Sequence, residues 1–242
     1  MKFSRVYLNR LQDQATARDT VVVIDVLRSF TSPAIALARG ATAIYPVEGV
    51  AAALTLARTL PGALTVGAIA GGDPAPGFDF GNFPARLQQA DAALLAGKQI
   101  VMSTAAGVRG LQRYRHARHL YATSLLTARA TAQAIAASAA DEVCFVITGE
   151  WVDRDGDEDI ACADYIEQLL CGASVQPEVF TERVRHSDFG RRFLAGSNPN
   201  LPPADLDLAV QIDRYNFCMP VGQDNGRLVI RGSPDMNLRP TL

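Results

Sequence analysis

The sequence predicts an α/β protein, a layered α/β/α sandwich around a largely parallel or mixed sheet. Short runs rich in Val and Ile alternate along the chain with Ala- and Leu-rich segments of helical period. Strands that alternate with helices form βαβ crossovers, which cover both faces of a parallel sheet. The 242 residues are 48% hydrophobic, enough for a large core, and no Pro- or Ser-rich linker divides them. We therefore expect a single domain over residues 1–242.

The first two thirds of the chain carry this alternation. The predicted strands are residues 3–8, 21–25, 43–47, 64–69, 99–103, 120–122 and 142–148. The predicted helices between them are residues 33–39, 50–60, 84–95, 108–114 and 125–139. For the first helix, Ser32 is a suitable N-cap, Pro33 a suitable first helical residue and Gly40 a suitable residue just past the end.

The last third of the chain is predicted to be helical, with a closing hairpin. We expect helices over residues 158–170, 177–195 and 205–212. Acidic residues at the start of the first of these suit a helix N-terminus, and Gly172 follows its end. Strand candidates 216–221 and 227–231 flank Asn225-Gly226, a dipeptide typical of tight hairpin turns.

Composition and charge exclude several classes of function. With 23 basic and 25 acidic residues the net charge is −2, so the chain lacks the excess of positive charge typical of nucleic-acid-binding proteins. No stretch reaches the roughly 20 apolar residues needed to cross a bilayer, and no apolar segment of the secretory type follows the N-terminus. The four cysteines form no Cys-x-x-Cys pair. We expect a cytoplasmic protein without a nucleic-acid or membrane partner, with a homodimer as a possible assembly.

Arginine supplies nearly all of the positive charge, because the only lysines are Lys2 and Lys98. A GC-rich genome is one explanation. The other is functional, since the planar guanidinium binds phosphate and carboxylate groups through paired hydrogen bonds, whereas lysine acts as a point charge. Arginines that lie close to anion-binding backbone would favour the second explanation.

Ligands of open α/β sheets bind beyond the carboxyl ends of the strands, so the residues after each strand are candidates for a site. Asp25 ends the second predicted strand, and Arg28 and Ser29 precede the next helix. A carboxylate in this place can hold Mg²⁺, while an arginine and helix N–H groups receive a phosphate or sulfonate. The alternative is an N-cap region in which the backbone satisfies Asp25.

Two further loops have compositions suited to ligand binding. Residues 70–84 contain four glycines, three prolines and an Asp79 flanked by phenylalanines, and long ordered loops are often functional. Residues 103–110 are small and hydroxylated and precede a helix, which allows close backbone approach to an anion. They match neither the Gly-x-Gly-x-x-Gly nor the P-loop pattern.

Residues 150–159 hold six acids and one arginine. Such a density is typical either of a solvated loop with helix-capping acids or of a divalent-cation site. An EF-hand loop is excluded, because its glycine and glutamate positions are taken by Glu158 and Asp164.

The order of these segments resembles the Mg²⁺-dependent 2-phosphosulfolactate phosphatase family. The resemblance rests on Val22-Val23-Ile24-Asp25-Val26-Leu27-Arg28-Ser29 with Gly40-Ala41, and on Gly77-Phe78-Asp79-Phe80-Gly81-Asn82-Phe83-Pro84. It continues through residues 158–163, 190–194 and 213–220, and so covers nearly the whole chain. Membership implies a single α/β domain and a cytoplasmic hydrolase that converts 2-phospho-3-sulfolactate to 3-sulfolactate and phosphate, a step toward coenzyme M.

By matching position, the resemblance also implies roles for the candidate residues. Asp25 would be a metal ligand or the central catalytic carboxylate, with Arg28 as an anion clamp and Asp79 as a further catalytic residue. The implied substrate-binding residues are Arg28, Ser29, Asn82, Ser103, Thr104, Gly107, Arg109 and Arg191. The implied Mg²⁺ ligands are Asp25, Glu150, Glu158 and Asp159.

Two segments depart from the pattern of the family. Ile69-Ala70-Gly71-Gly72 stands where the family has Glu-Arg-Gly-Gly, and Thr104-Ala105-Ala106-Gly107-Val108 stands where it has Thr-Thr-Asn-Gly-Thr. Polar groups that act on a substrate each stabilise binding or the transition state, so their loss is costly. A second hypothesis is therefore a catalytically weakened homologue that binds an anionic metabolite without turnover.

Overall fold

The structure is a computed structural model that describes residues 1–10 and 19–234. In these ranges, eleven strands form one mixed sheet. The strands are β1 (Lys2–Tyr7), β2 (Thr20–Ile24), β3 (Ala43–Pro46), β4 (Leu64–Gly67), β5 (Phe80–Gly81), β6 (Gln99–Ser103), β7 (His119–Thr123), β8 (Glu142–Ile147), β9 (Phe217–Asp224), β10 (Arg227–Ile230) and β11 (Ser233–Pro234). Every strand predicted in the first two thirds of the chain is confirmed, with small shifts at its ends.

The helices account for about half of the remaining described residues. They are α1 (Thr31–Ala38), α2 (Val50–Thr59), α3 (Pro84–Gln89), α4 (Ala92–Leu95), α5 (Gly107–Arg113), α6 (Ala128–Ala137), α7 (Asp157–Leu170), α8 (Pro177–His186), α9 (Asp188–Ala195) and α10 (Pro203–Ala209). In the described part of the chain, none of them is long and apolar enough to cross a membrane.

Two predicted helices are each broken into two, and a side-chain cap starts the second piece in both. The helix predicted over 84–95 breaks between Ala90 and Ala92, where the Asp91 carboxylate accepts a hydrogen bond from the N–H of Ala93 at 3.0 Å. The helix predicted over 177–195 breaks at Ser187, whose hydroxyl accepts from the N–H of Gly190 at 3.0 Å. Apolar periodicity continues across both breaks, so it does not reveal them.

The predicted terminal hairpin is confirmed in β9 and β10, with a shorter turn. β9 continues to Asp224, so that only Asn225 and Gly226 connect the two strands. Both residues have positive φ, 49° and 76°. This is the requirement of a two-residue type I′ turn, which Asn-Gly satisfies at little conformational cost.

The sheet consists of two parallel groups joined by this hairpin. Its strand order is β1-β8-β2-β7-β9-β10-β3-β6-β4-β5, with β11 paired to β9. The first four strands are parallel to one another, and so are the last four. The pairings β7–β9, β9–β10 and β10–β3 are antiparallel, so the chain direction is opposite in the two groups.

Helix α1 lies between the two parallel groups and forms an inner layer of the predicted layered fold. Val21 and Val23 of β2 share one apolar cluster with Ile100 of β6 and Ile35 of α1. The alternate β2 residues face the opposite cluster, which is packed with helices α6 to α9. Residues 31–36 are all buried, which is typical of a helix covered on every side.

Candidate functional site

A cavity of about 670 Å³ opens at the connection between β2 and α1. Its wall includes residues that follow four different strands: Asp25 after β2, Ala68 after β4, Thr104 after β6 and Thr148 after β8. These strands belong to both parallel groups, so the sheet curves enough to bring two carboxyl edges together. The cavity lies where open α/β sheets bind ligands.

Asp25 is a buried carboxylate in the cavity wall, with 5% of its surface exposed. Its Oδ1 accepts a hydrogen bond from the N–H of Ser29 at 2.8 Å, so the backbone satisfies one oxygen. The other oxygen, Oδ2, lies against the start of α5, because a Cβ atom added to Gly107 would be only 3.0 Å from it. Burial raises the pKa of Asp25. The turns before α1 and α5 thus meet at this carboxylate.

Arg28 is held in place by Asp205 and two aromatic rings. Its guanidinium donates to the Asp205 carboxylate at 2.6 Å, and both side chains are almost completely buried. The guanidinium carbon lies 4.9 Å from the ring centre of Phe83 and 5.3 Å from that of Phe193. Asp205 also accepts from the N–H of Ala85 at 2.8 Å. A fixed arginine next to Asp25 is suited to orienting an anionic ligand.

Glu158 and Asp159 are buried directly behind the cavity wall, at the start of α7. Asp159 is saturated with hydrogen bonds, because it accepts from the N–H groups of Val26, Thr148 and Gly149 and from the Thr148 hydroxyl. Glu158 Oε2 is buried without a hydrogen-bond partner among the described residues. Burial raises the pKa of Glu158 to about 7, and the charge of Asp25 adds to the rise. Burial also raises the pKa of Asp159, with a further rise from the charge of Glu158.

Two of the predicted site carboxylates lie elsewhere. Asp79, predicted to be catalytic, is outside the cavity lining and exposed, and its Oδ2 accepts from the N–H and the hydroxyl of Thr65 at 2.8 Å each. It anchors its loop to β4. Glu150, predicted to bind metal, pairs with Arg10 on the surface. Both carboxylates lie outside the cavity lining and are paired with other residues of the protein, so neither belongs to the candidate site.

The other predicted polar residues surround the cavity to different degrees. Asn82 and Thr104 line it, and each has a buried side-chain oxygen without a partner among the described residues. Ser29 lines it beside Asp25. Ser103 is buried just behind Thr104 and, like Gly107, is outside the lining. The Thr104 hydroxyl could therefore donate to an anionic ligand, whereas Asn82 Oδ1 needs a donor such as a ligand hydroxyl group.

The cavity lining contains five arginines and two aspartates, Asp25 and Asp153. Besides Arg28 they are the predicted Arg109 and Arg191, together with Arg154 and Arg192, which the sequence reasoning missed. For Arg154, the sequence offered one signal. It is the single arginine in the acidic segment 150–159, and a lone cation among acids indicates a specific contact. The guanidinium groups in the lining suit an anionic ligand, although Arg28, Arg191 and Arg192 are each paired with a carboxylate.

The two segments that depart from the expected family pattern also reach the cavity. Ile69, Gly71 and Gly72 line one part of it, and Ala105 and Ala106 line another. These residues replace carboxylate, guanidinium, amide and hydroxyl groups of the expected pattern by apolar side chains or by none. The departures thus change the surface that contacts a ligand.

Among the described residues, no group of three or more His, Cys, Asp and Glu side chains is arranged to hold a metal ion. A magnesium ion does not need such a group, because it keeps several waters and is commonly held by one or two carboxylates. Asp25 and Glu158 provide two buried carboxylates of this kind, and Glu158 Oε2 lacks a partner. The donor chemistry therefore fits Mg²⁺.

Comparison with known proteins identifies relatives of this chain. The family model for 2-phosphosulpholactate phosphatase matches residues 7–218. A probable 2-phosphosulfolactate phosphatase of Carboxydothermus hydrogenoformans is 39% identical over 150 residues, 62% of this chain and 60% of the relative. Proteins of the same name from Bacillus subtilis and Thermoplasma acidophilum are 29% and 30% identical, over 85% and 88% of this chain and 88% and 89% of their own. The chain belongs to the 2-phosphosulpholactate phosphatase family.

Proposed function

We propose that this protein is a phosphatase that releases phosphate from a small phosphorylated acid, with 2-phospho-3-sulfolactate as the first candidate substrate. The observation that carries the proposal is the buried Asp25 beside the fixed Arg28 in an arginine-lined cavity. The names of the relatives support the same reaction. The products would be 3-sulfolactate and phosphate, a coenzyme M biosynthesis type of reaction in the cytoplasm.

The residues of the site would have different roles in phosphate hydrolysis. Arg28 orients the anion, and the hydroxyls and amide of Ser29, Thr104 and Asn82 donate to its oxygens. Phosphoryl transfer needs mainly positioning and charge neutralisation, which such groups supply. Of the two carboxylates in the lining, Asp25 is the buried one.

We further propose that Asp25 and Glu158 hold a Mg²⁺ ion. When bound, the ion would neutralise phosphate charge and lower the pKa of a coordinated water. Asp159 connects the residue after Asp25 to the segment after β8 through its hydrogen bonds to Val26, Thr148 and Gly149.

The second candidate function is anion binding without turnover. The apolar Ile69, Ala105 and Ala106 in the lining favour it, because they supply no donor to a transferring phosphate. Retention of Asp25 and Arg28 favours hydrolysis.

A phosphate-release assay over a panel of small phosphorylated acids, in Mg²⁺ and in chelator, tests the proposal. We expect release from at least one acid that bears a second anionic group, and we expect chelator to abolish it. Release from no substrate, with measurable binding of the same acids by calorimetry, would establish the binding function instead.

A further inference from the structure

The five cavity arginines differ in how their guanidinium groups are used. Arg28 is paired with Asp205 and Arg191 with Asp188, while Arg192 donates to Asp153 at 2.9 Å. Arg109 donates to the Asn9 side chain. The guanidinium of Arg154 makes no hydrogen bond to any residue that the structure describes; its nearest carboxylate, on Asp153, is 4.0 Å away.

Arg154 is nevertheless held in a defined place. Its backbone N–H donates to the carbonyl of Trp151 at 3.2 Å, and its carbonyl accepts from the Trp151 N–H at 3.1 Å, which closes a tight turn over residues 151–154. The guanidinium carbon lies 4.5 Å from the ring centre of Phe189, and Phe189 packs edge-to-face on Phe193 at 5.3 Å. An aromatic platform of this kind restrains a cation without using its N–H groups.

The charge of Arg154 is poorly screened by solvent and acts on the carboxylates of Asp25 and Glu158. Only 22% of its side chain is exposed. Burial raises the pKa of Asp25 and of Glu158, and the positive charge of Arg154 opposes that rise in both. Arg154 is therefore close enough to influence the place where the phosphate would react.

We propose that Arg154 is a catalytic residue with Phe189 as its platform, and that its guanidinium, which makes no hydrogen bond to a described residue, binds the phosphoryl group of the substrate directly. The inference rests on the proposed function and adds to it the residue that supplies free N–H donors. A guanidinium matches two phosphate oxygens with two parallel hydrogen bonds. Arg28 has fewer free N–H donors than Arg154, because one of its nitrogens is committed to Asp205.

Binding of inorganic phosphate tests the assignment without turnover. The chain has one tryptophan, Trp151, and it lines the cavity, so its fluorescence reports ligands there. For Arg154→Gln we expect the dissociation constant of phosphate to rise at least tenfold, as for loss of a charge-assisted hydrogen bond. Arg154→Lys should regain part of the affinity. The matched control is Arg58→Gln on the exposed face of α2, which should bind phosphate as the wild type does.

The same variants are then measured for phosphate release. Arg154→Gln should lose roughly a hundredfold or more in kcat/KM, as when a preorganised donor to the transition state is removed. Phe189→Leu should lose activity with Arg154 still present, because the platform is gone. Thermal unfolding of each variant, with Arg154→Lys as the conservative case, separates misfolding from loss of the contact.

The outcomes separate this inference from the proposed function. Phosphate affinity and kcat/KM of Arg154→Gln within twofold of the wild type would overturn the role of Arg154. A wild type that releases no phosphate, but binds phosphate only when Arg154 is present, would overturn the proposed hydrolysis and leave Arg154 as the anion-binding residue.

Discussion

Arg28 shows which contacts of a site residue can be read from a sequence. Its place after β2 and before α1 follows from local pattern, since an apolar run and a helix start flank it. Its partners Asp205, Phe83 and Phe193 come from distant parts of the chain and carry no local signal. Arg154 itself was not predicted, and its platform Phe189 likewise comes from a distant part of the chain. The position of Arg28 was thus predictable, and the groups that hold it were not.

Breaking the Arg28–Asp205 pair should strongly destabilise the fold. Asp205→Asn keeps the side-chain volume but leaves the buried Arg28 charge unpaired, which costs about 3–5 kcal/mol in comparable pairs. Urea unfolding measures the loss. The double variant Arg28→Met/Asp205→Leu should recover much of the stability and still release no phosphate. A change below about 1 kcal/mol in Asp205→Asn, the size expected for an exposed pair, would show that the pair is not buried as described.

Glu158 should make stability depend on pH when no divalent cation is present. Its pKa rises on folding from 4.5 to about 7, so the folded state binds the proton more tightly than the unfolded state. The resulting stabilisation is fully present below pH 4.5, falls as the pH rises, and is lost above about pH 7. The fall is about 3 kcal/mol on the scale of 1.36 kcal/mol per pKa unit.

The measurement is urea unfolding in chelator at several values between pH 4.5 and pH 8. Glu158→Gln should reduce the fall, leave the part due to the buried Asp25 and Asp159, and be more stable than the wild type at pH 8. The exposed Glu178→Gln serves as the control and should keep the wild-type profile. Equal slopes in wild type and Glu158→Gln would contradict the buried state of this carboxyl group.

Among the elements, the strands were predicted more accurately than the helices. Val22 and Ile24 face one cluster while Val21 and Val23 face the other, and apolar content on both faces marks a buried strand. The helices were predicted less accurately because some of their ends are set by local caps such as Ser187. Apolar periodicity gives no signal for such caps. The site is built where two elements begin, because the starts of α1 and α5 meet at Asp25.

Gly107 permits that close approach, and replacing it should separate the two elements. A Cβ atom at this position would lie 2.7 Å from the Ser29 Cβ and 3.0 Å from Asp25 Oδ2. We expect Gly107→Ala to cost about 1–3 kcal/mol of stability, as for overpacked sites, and to reduce kcat/KM because Asp25 is displaced. Gly222→Ala is the matched control, since a Cβ there meets nothing within 4 Å. Wild-type kinetics in Gly107→Ala would argue against a tight junction at Asp25.

Across the whole molecule, the mixed sheet brings together residues that a simple parallel sheet would keep apart. The alternation of strands and helices predicted the fold class, but the reversal between the two parallel groups depends on the hairpin β9–β10, which lies last in the chain. The distribution of charge is also a property of the whole molecule. The net charge is only −2, while five arginines line one cavity beside Asp25 and Asp153. The net charge therefore gave no indication of an anionic ligand, and the excess of arginine over lysine left the question open.

The central claim is that Asp25 carries out Mg²⁺-dependent phosphate hydrolysis in this cavity. The most direct test is phosphate release by wild type and Asp25→Asn, each in Mg²⁺ and in chelator, with Asp141→Asn on an exposed turn as the control. We expect release by the wild type and Asp141→Asn only with Mg²⁺, and a loss of at least a thousandfold in Asp25→Asn, which keeps the shape of the side chain but not its charge. Release by Asp25→Asn at the wild-type rate would contradict the account.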